Sequence, residues 1–135
     1  RIVDSQRRTL YAKVSRNEPQ GSDEFLRLFD FPIPRASAAK RTSNVLPQQF
    51  LFMMNSPFMI KRAKALSNLL QHKEATDAAR VGLAYSLLYG RSPTDQEREI
   101  SHQFLTTQPI SNEALDRWQQ YCQVMLSANE FMYIR

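Results

Sequence analysis

From Pro47 onward the apolar residues recur with the 3.6-residue period of an α-helix, and nearly every run is bracketed by a start or stop signal. Pro47 suits the first position of a short helix to about Met54, apolar nearly all round through Phe50-Leu51-Phe52-Met53-Met54. Ser56 is placed as an N-cap and Pro57 as first residue of a second helix, about 57–71, with Met59, Ala63, Leu66 and Leu70 on one face and Lys61, Lys64, Asn68 and Gln71 opposite. A third helix runs from Asp77 to Tyr89 with Ala78, Val81, Tyr85 and Leu88 in register. It is apolar on most sides, so it is expected to be the most buried, and Gly90 takes the left-handed stop. Thr94-Asp-Gln-Glu97 reads as a capping box opening a helix over about 95–106, with a stripe of Ile100, Phe104 and Leu105. Ser111 is expected to cap the last helix, about 112–127, whose face is Leu115, Trp118, Tyr121, Cys122 and Met125. Short loops predict antiparallel neighbours. The expected fold is mainly α: a compact bundle of four to five helices.

Residues 1–45 read differently, as an extended, proline-containing N-terminal arm set against a helical body over 46–135. Residues 8–14 alternate loosely, with Leu10, Ala12 and Val14 on one side, which allows a short strand. Phe25–Phe29 has the makings of one or two helical turns, which Pro32 and Pro34 end. Arg1 in place of a methionine is what a piece of a longer protein would show.

Composition narrows the class. With 42% apolar and 23% charged residues the chain has enough hydrophobic material to fold. Its longest strongly apolar stretch, residues 50–60, is broken by Asn55, Ser56 and Pro57 and falls short of the ~20 residues a membrane span needs. The net charge of +5 is uneven: residues 1–73 carry 13 basic against 5 acidic residues, residues 74–135 carry 5 against 8. A basic half can meet an anionic ligand, or acidic surface within a larger parent. No dense Lys/Arg block points to nucleic acid.

Chemistry-bearing motifs are sparse. His72, His102 and Cys122 stand alone on different expected elements, so no metal set is formed and no Cys-x-x-Cys-His is present to attach haem. Asp30, between Phe29 and Phe31, is the one carboxylate outside a helix start that invites a role. It could be a structural acceptor, with Arg8, Arg35 or Arg41 as partners, or one half of a carboxylate pair working on a sugar.

Several strings in order resemble a known family. They are Arg7-Arg8-Thr9-Leu10-Tyr11; Phe29-Asp30-Phe31-Pro32; Arg41; Pro47-Gln48-Gln49 running to Asn55-Ser56-Pro57-Phe58; Leu88-Tyr89-Gly90-Arg91-Ser92-Pro93-Thr94 with Glu97; Trp118; and Leu126-Ser127-Ala128-Asn129-Glu130-Phe131. The series is similar to the C-terminal part of a planctomycete family, domain of unknown function 1553. The resemblance implies an exported, extracytoplasmic parent protein that often carries a cytochrome c-like domain, so any haem would sit on another domain rather than on this chain. It supplies no catalytic residue. Trp118 and Phe131 are expected as core anchors. Arg8, Tyr11, Asp30, Arg41, Gln48 and Asn55 are left without a folding role and are the candidate binding residues. Three functions stay open: a non-catalytic interaction module docking the remainder of its parent; an accessory part of an enzyme acting on complex polysaccharide, with Asp30 in a site completed upstream; and an anion-binding surface on the basic half.

Overall fold

The computed structural model describes residues 11, 26–31, 47–108 and 115–133. The chain forms two compact units, 1–52 and 53–135. The helices are α1 (Pro47–Asn55), α2 (Pro57–Lys73), α3 (Asp77–Tyr89), α4 (Asp95–Thr106), α5 (Arg117–Ser127) and α6 (Asn129–Met132). No strand occurs among the described residues; the strand expected at 8–14 lies outside them, apart from Tyr11.

In the first unit residues 26–28 make a helical turn, closed by two bonds: the Phe31 amide donates to the Leu26 carbonyl at 3.0 Å and the Asp30 amide to the Arg27 carbonyl at 3.2 Å. That is the paired closure of a helix whose stop residue is left-handed, and Asp30 supplies it with φ of 57°. Leu26 is buried, and the Phe29 ring meets the edge of Phe52 with centroids 6.0 Å apart.

The second unit is a helical bundle. The Ser56 hydroxyl accepts from the Met59 amide at 3.2 Å and Pro57 opens α2, as the sequence predicts. One face of α2 then buries Met59, Ala63, Ser67 and Leu70, spaced four, four and three apart. Its principal neighbour is α5, which buries Tyr121, Cys122, Met125 and Leu126. Leu70 and Cys122 are fully enclosed, and a leucine so placed contributes about 2 kcal/mol of transfer free energy. Two α5 side chains take up carbonyls at the end of α1: Gln123 bonds Met54, and the Ser127 hydroxyl bonds Met53 at 3.2 Å.

Gly90 is left-handed after α3, and Thr94 with Glu97 forms the expected capping box at α4. Four expectations need correction. The last helix begins at Arg117, not 112, because Asp116 and Gln119 build a second capping box there; Ser111 lies outside the described residues. The inward residue of α4 is Ser101 rather than Ile100, which is 58% exposed. Ser101 can be buried because it donates to the Glu97 carbonyl at 2.6 Å and shares a hydrogen bond with the Tyr121 hydroxyl at 2.9 Å. The third helix is not the most enclosed, since Leu87 and Ala78 face outward while α2 and α5 each bury four residues. Phe131 is on the surface, on a four-residue helix that buries nothing.

Candidate functional site

Of the six residues proposed from sequence, Arg8 and Arg41 lie outside the described residues. Tyr11 is largely exposed. Asp30 is half-buried and owes its left-handed backbone to the helix stop it makes, so a folding role exists for it after all. Gln48 is exposed, and it is the neighbouring Gln49 that turns inward, its Nε2 donating to the Leu28 carbonyl at 2.8 Å. That bond satisfies a carbonyl in the last turn before Asp30. Asn55, exposed at the end of α1, belongs to the second unit, whereas Tyr11, Asp30 and Gln48 belong to the first.

The polar centre of the second unit was not singled out from the sequence. Arg91 follows the Gly90 stop, and its guanidinium holds two carboxylates at once. Its Nη1 and Nη2 donate to Glu97 at 2.9 and 2.7 Å, while Nε and Nη2 donate to Glu130 at 2.6 and 2.8 Å. The guanidinium lies 5.2 Å from the ring centre of Tyr85 and 5.8 Å from that of Tyr89. Glu97 is further fixed by the Thr94 amide at 2.7 Å and the Thr94 hydroxyl at 3.0 Å. The Arg91 hydrogen bonds, helped by those from Thr94, hold its carboxyl down to about 2. The same bonds raise Arg91 above its ordinary value. One cation is thereby met by two anions, so the cluster is an internal clamp rather than an open receptor.

Around it lies a set of phenols. The Tyr89 hydroxyl donates to the Met125 carbonyl at 3.0 Å. Tyr85 meets Tyr89 edge-on at 5.2 Å, and Tyr121 meets Trp118 edge-on at 5.5 Å. Burial pushes both Tyr89 and Tyr121 up to about 12, and raises Tyr85. Cys122 beside them is completely enclosed, and burial, with a smaller contribution from the Asp116 charge, pushes its thiol up to about 12. A nucleophilic thiol needs the opposite shift.

Two further arginines clamp helix ends. Arg117 donates to the Thr107 and Gln108 carbonyls at 2.8 and 2.6 Å beyond α4 and covers the Phe104 ring at 5.2 Å. Arg80 donates to the Glu74 carbonyl at 2.8 Å after α2, pairs with Asp77 at 2.8 Å, and lies 5.8 Å from the centre of Trp118.

A concavity is present between α3 and α4, with a volume of about 250 Å³. Val81 and Leu105 provide apolar lining, Asp77 stands on one wall, and Asp95, Glu99, Arg98 and His102 stand on the other. Among the described residues no group of three or more His, Cys, Asp and Glu side chains is arranged to hold a metal ion. None of their helices is long and apolar enough to cross a membrane. The groove offers a mixed-charge contact.

Neither curated proteins nor solved structures yield a match to the chain. A family model described as a protein of unknown function (DUF1553), PSD1, matches residues 2–105. That span takes in the first unit and, in the second, α2, α3, the Arg91 loop and nearly all of α4, and on it the chain belongs to the DUF1553 family.

Proposed function

We propose that this chain is a non-catalytic helical module whose work is to dock against other protein surface, in the first place the remainder of a larger exported parent polypeptide of which it forms the C-terminal end. The observation that carries this reading is the composition of α1 against its exposure. α1 carries five consecutive apolar residues, Phe50 to Met54, between Gln48-Gln49 and Asn55. Yet Leu51, in the first unit, is 58% exposed, and Met54, in the second, is 54% exposed. Water is a poor neighbour for such side chains, and a covering partner would remove the cost.

The internal chemistry supports the same view. Arg80, Arg91 and Arg117 bond to carboxylates and to carbonyls at helix ends, and Cys122 is enclosed. These groups hold the fold. An extracytoplasmic location in a planctomycete-type protein, with any haem carried by another domain, belongs to this proposal. The polysaccharide reading gains nothing from Asp30, whose unusual backbone has a structural explanation.

The test is to co-express the chain with the rest of its parent polypeptide as a separate piece and measure their association by analytical ultracentrifugation. Association that falls at least tenfold in Leu51→Glu/Met54→Glu, with helicity kept, is the expected result. Undiminished association by the folded double variant, or none by the wild-type chain, would overturn the proposal.

A further inference from the structure

Cations in the second unit fall into two groups. Arg80, Arg91 and Arg117 are engaged inside the fold, on carboxylates and on carbonyls at helix ends. The lysines of α2 are not. This helix carries Lys61, Arg62, Lys64 and Lys73 and no acid in its 17 residues. Lys61 and Lys64 are exposed, and among the described residues no carboxylate pairs with either. Both stand in the first half of α2, away from the last turn, where a helix dipole favours positive charge.

With Met59, Ala63, Ser67 and Leu70 turned into the core, Lys61, Lys64, Ala65, Asn68 and His72 form an exposed row on the opposite face. It runs about 16 Å along the helix. The row holds no acid and no aromatic ring. We propose that this face of α2 is a binding site for an acidic polysaccharide chain lying along the helix, with Lys61 and Lys64 meeting its anionic groups and Asn68 its hydroxyls. The Asn68 amide both donates and accepts, as a sugar hydroxyl requires. Among the large apolar side chains of α2 only Leu69 is exposed, which leaves no apolar face to enter a lipid surface. No ring on the row offers bases a platform for stacking. The inference narrows the anionic reading of the basic half to one helix face and does not rest on the docking reading above.

Calorimetric titration of the whole chain with polygalacturonate and with dextran sulfate tests it, with neutral dextran and duplex DNA as comparisons. Binding to at least one acidic polymer is expected at about 10 mM salt, weakening at about 0.15 M. Binding to one alone would name carboxylate or sulfate as the group recognised. Lys61→Gln/Lys64→Gln should weaken binding roughly three- to tenfold with helicity kept, since two exposed charge contacts are lost. Arg98→Gln removes an exposed charge from α4 and should leave binding unchanged. The proposal fails if neither acidic polymer binds at low salt, or if the double variant binds as the wild type does. It fails equally if Arg98→Gln loses as much, or if neutral dextran or duplex DNA binds as tightly.

Discussion

Arg91 grips Glu97 through both terminal nitrogens, at 2.9 and 2.7 Å, across the loop that joins α3 to α4. The bond ties a helix stop to the following helix start, since Glu97 also closes the capping box with Thr94. Its consequence is a pH dependence of known sign. The folded chain keeps Glu97 ionised down to about 2, whereas an unfolded chain protonates a glutamate near ~4.3. The unfolded state therefore binds more protons between those values. The stabilisation is full above about pH 4.5 and is lost as pH falls towards 2. Because the pair is partly solvated, the loss is small. Melting curves of wild type and Glu97→Gln should converge between pH 5 and about 2.5; parallel curves would refute the assignment.

Thr94→Ala should destabilise the second unit by about 1 kcal/mol, because the hydroxyl accepts from the Glu97 amide at 3.3 Å. Thr94→Ser keeps that oxygen and should stay near wild type. Urea unfolding followed by far-ultraviolet circular dichroism separates the two.

At alkaline pH the sign reverses. Folding keeps the Tyr89 and Tyr121 phenols and the Cys122 thiol protonated towards 12, while unfolded tyrosine and cysteine ionise near ~10 and ~8.5. Here the folded state holds more protons, so stability present below about pH 8.5 declines as pH rises towards 12. Absorbance at 295 nm should show these two tyrosines ionising together with loss of helicity. Cys122 should react with a thiol reagent only on that same transition; rapid modification of the folded protein at pH 8 would contradict its enclosure.

At position 30 the decisive comparison is between two variants that both lack the carboxylate. Glycine accepts a φ of 57° freely, whereas a β-branched residue is strained there. Asp30→Gly should exceed Asp30→Val in stability by about 1–2 kcal/mol in chemical denaturation. Equal stabilities would mean that the left-handed stop is not what the position requires.

Much of the fold was legible because its signals are local. Ser56 with Pro57, Gly90, and Thr94 with Glu97 each act within one turn, so their spacing states their role directly. The Asp116-x-x-Gln119 box has the same form, but Ser111 offered an earlier start and hid it. The burial of Ser101 is hidden for a different reason. Periodicity ranks residues by hydrophobicity, while Ser101 is buried by the need of the Tyr121 hydroxyl, twenty residues away, for a partner. The site was less legible still. Arg91 meets Glu130 across 39 positions, and no spacing rule connects them. Gln48 and Gln49 are alike in composition, and only their place on the helix decides which turns in.

Ala63 and Ser67, one turn apart on α2, expose nothing to water. Side chains this small leave room for a neighbouring helix to come close at these two positions, while Met59 and Leu70 fill the seam on either side. A bulkier residue at either position would have to push its neighbours aside, so the middle of α2 is where the bundle tolerates enlargement least.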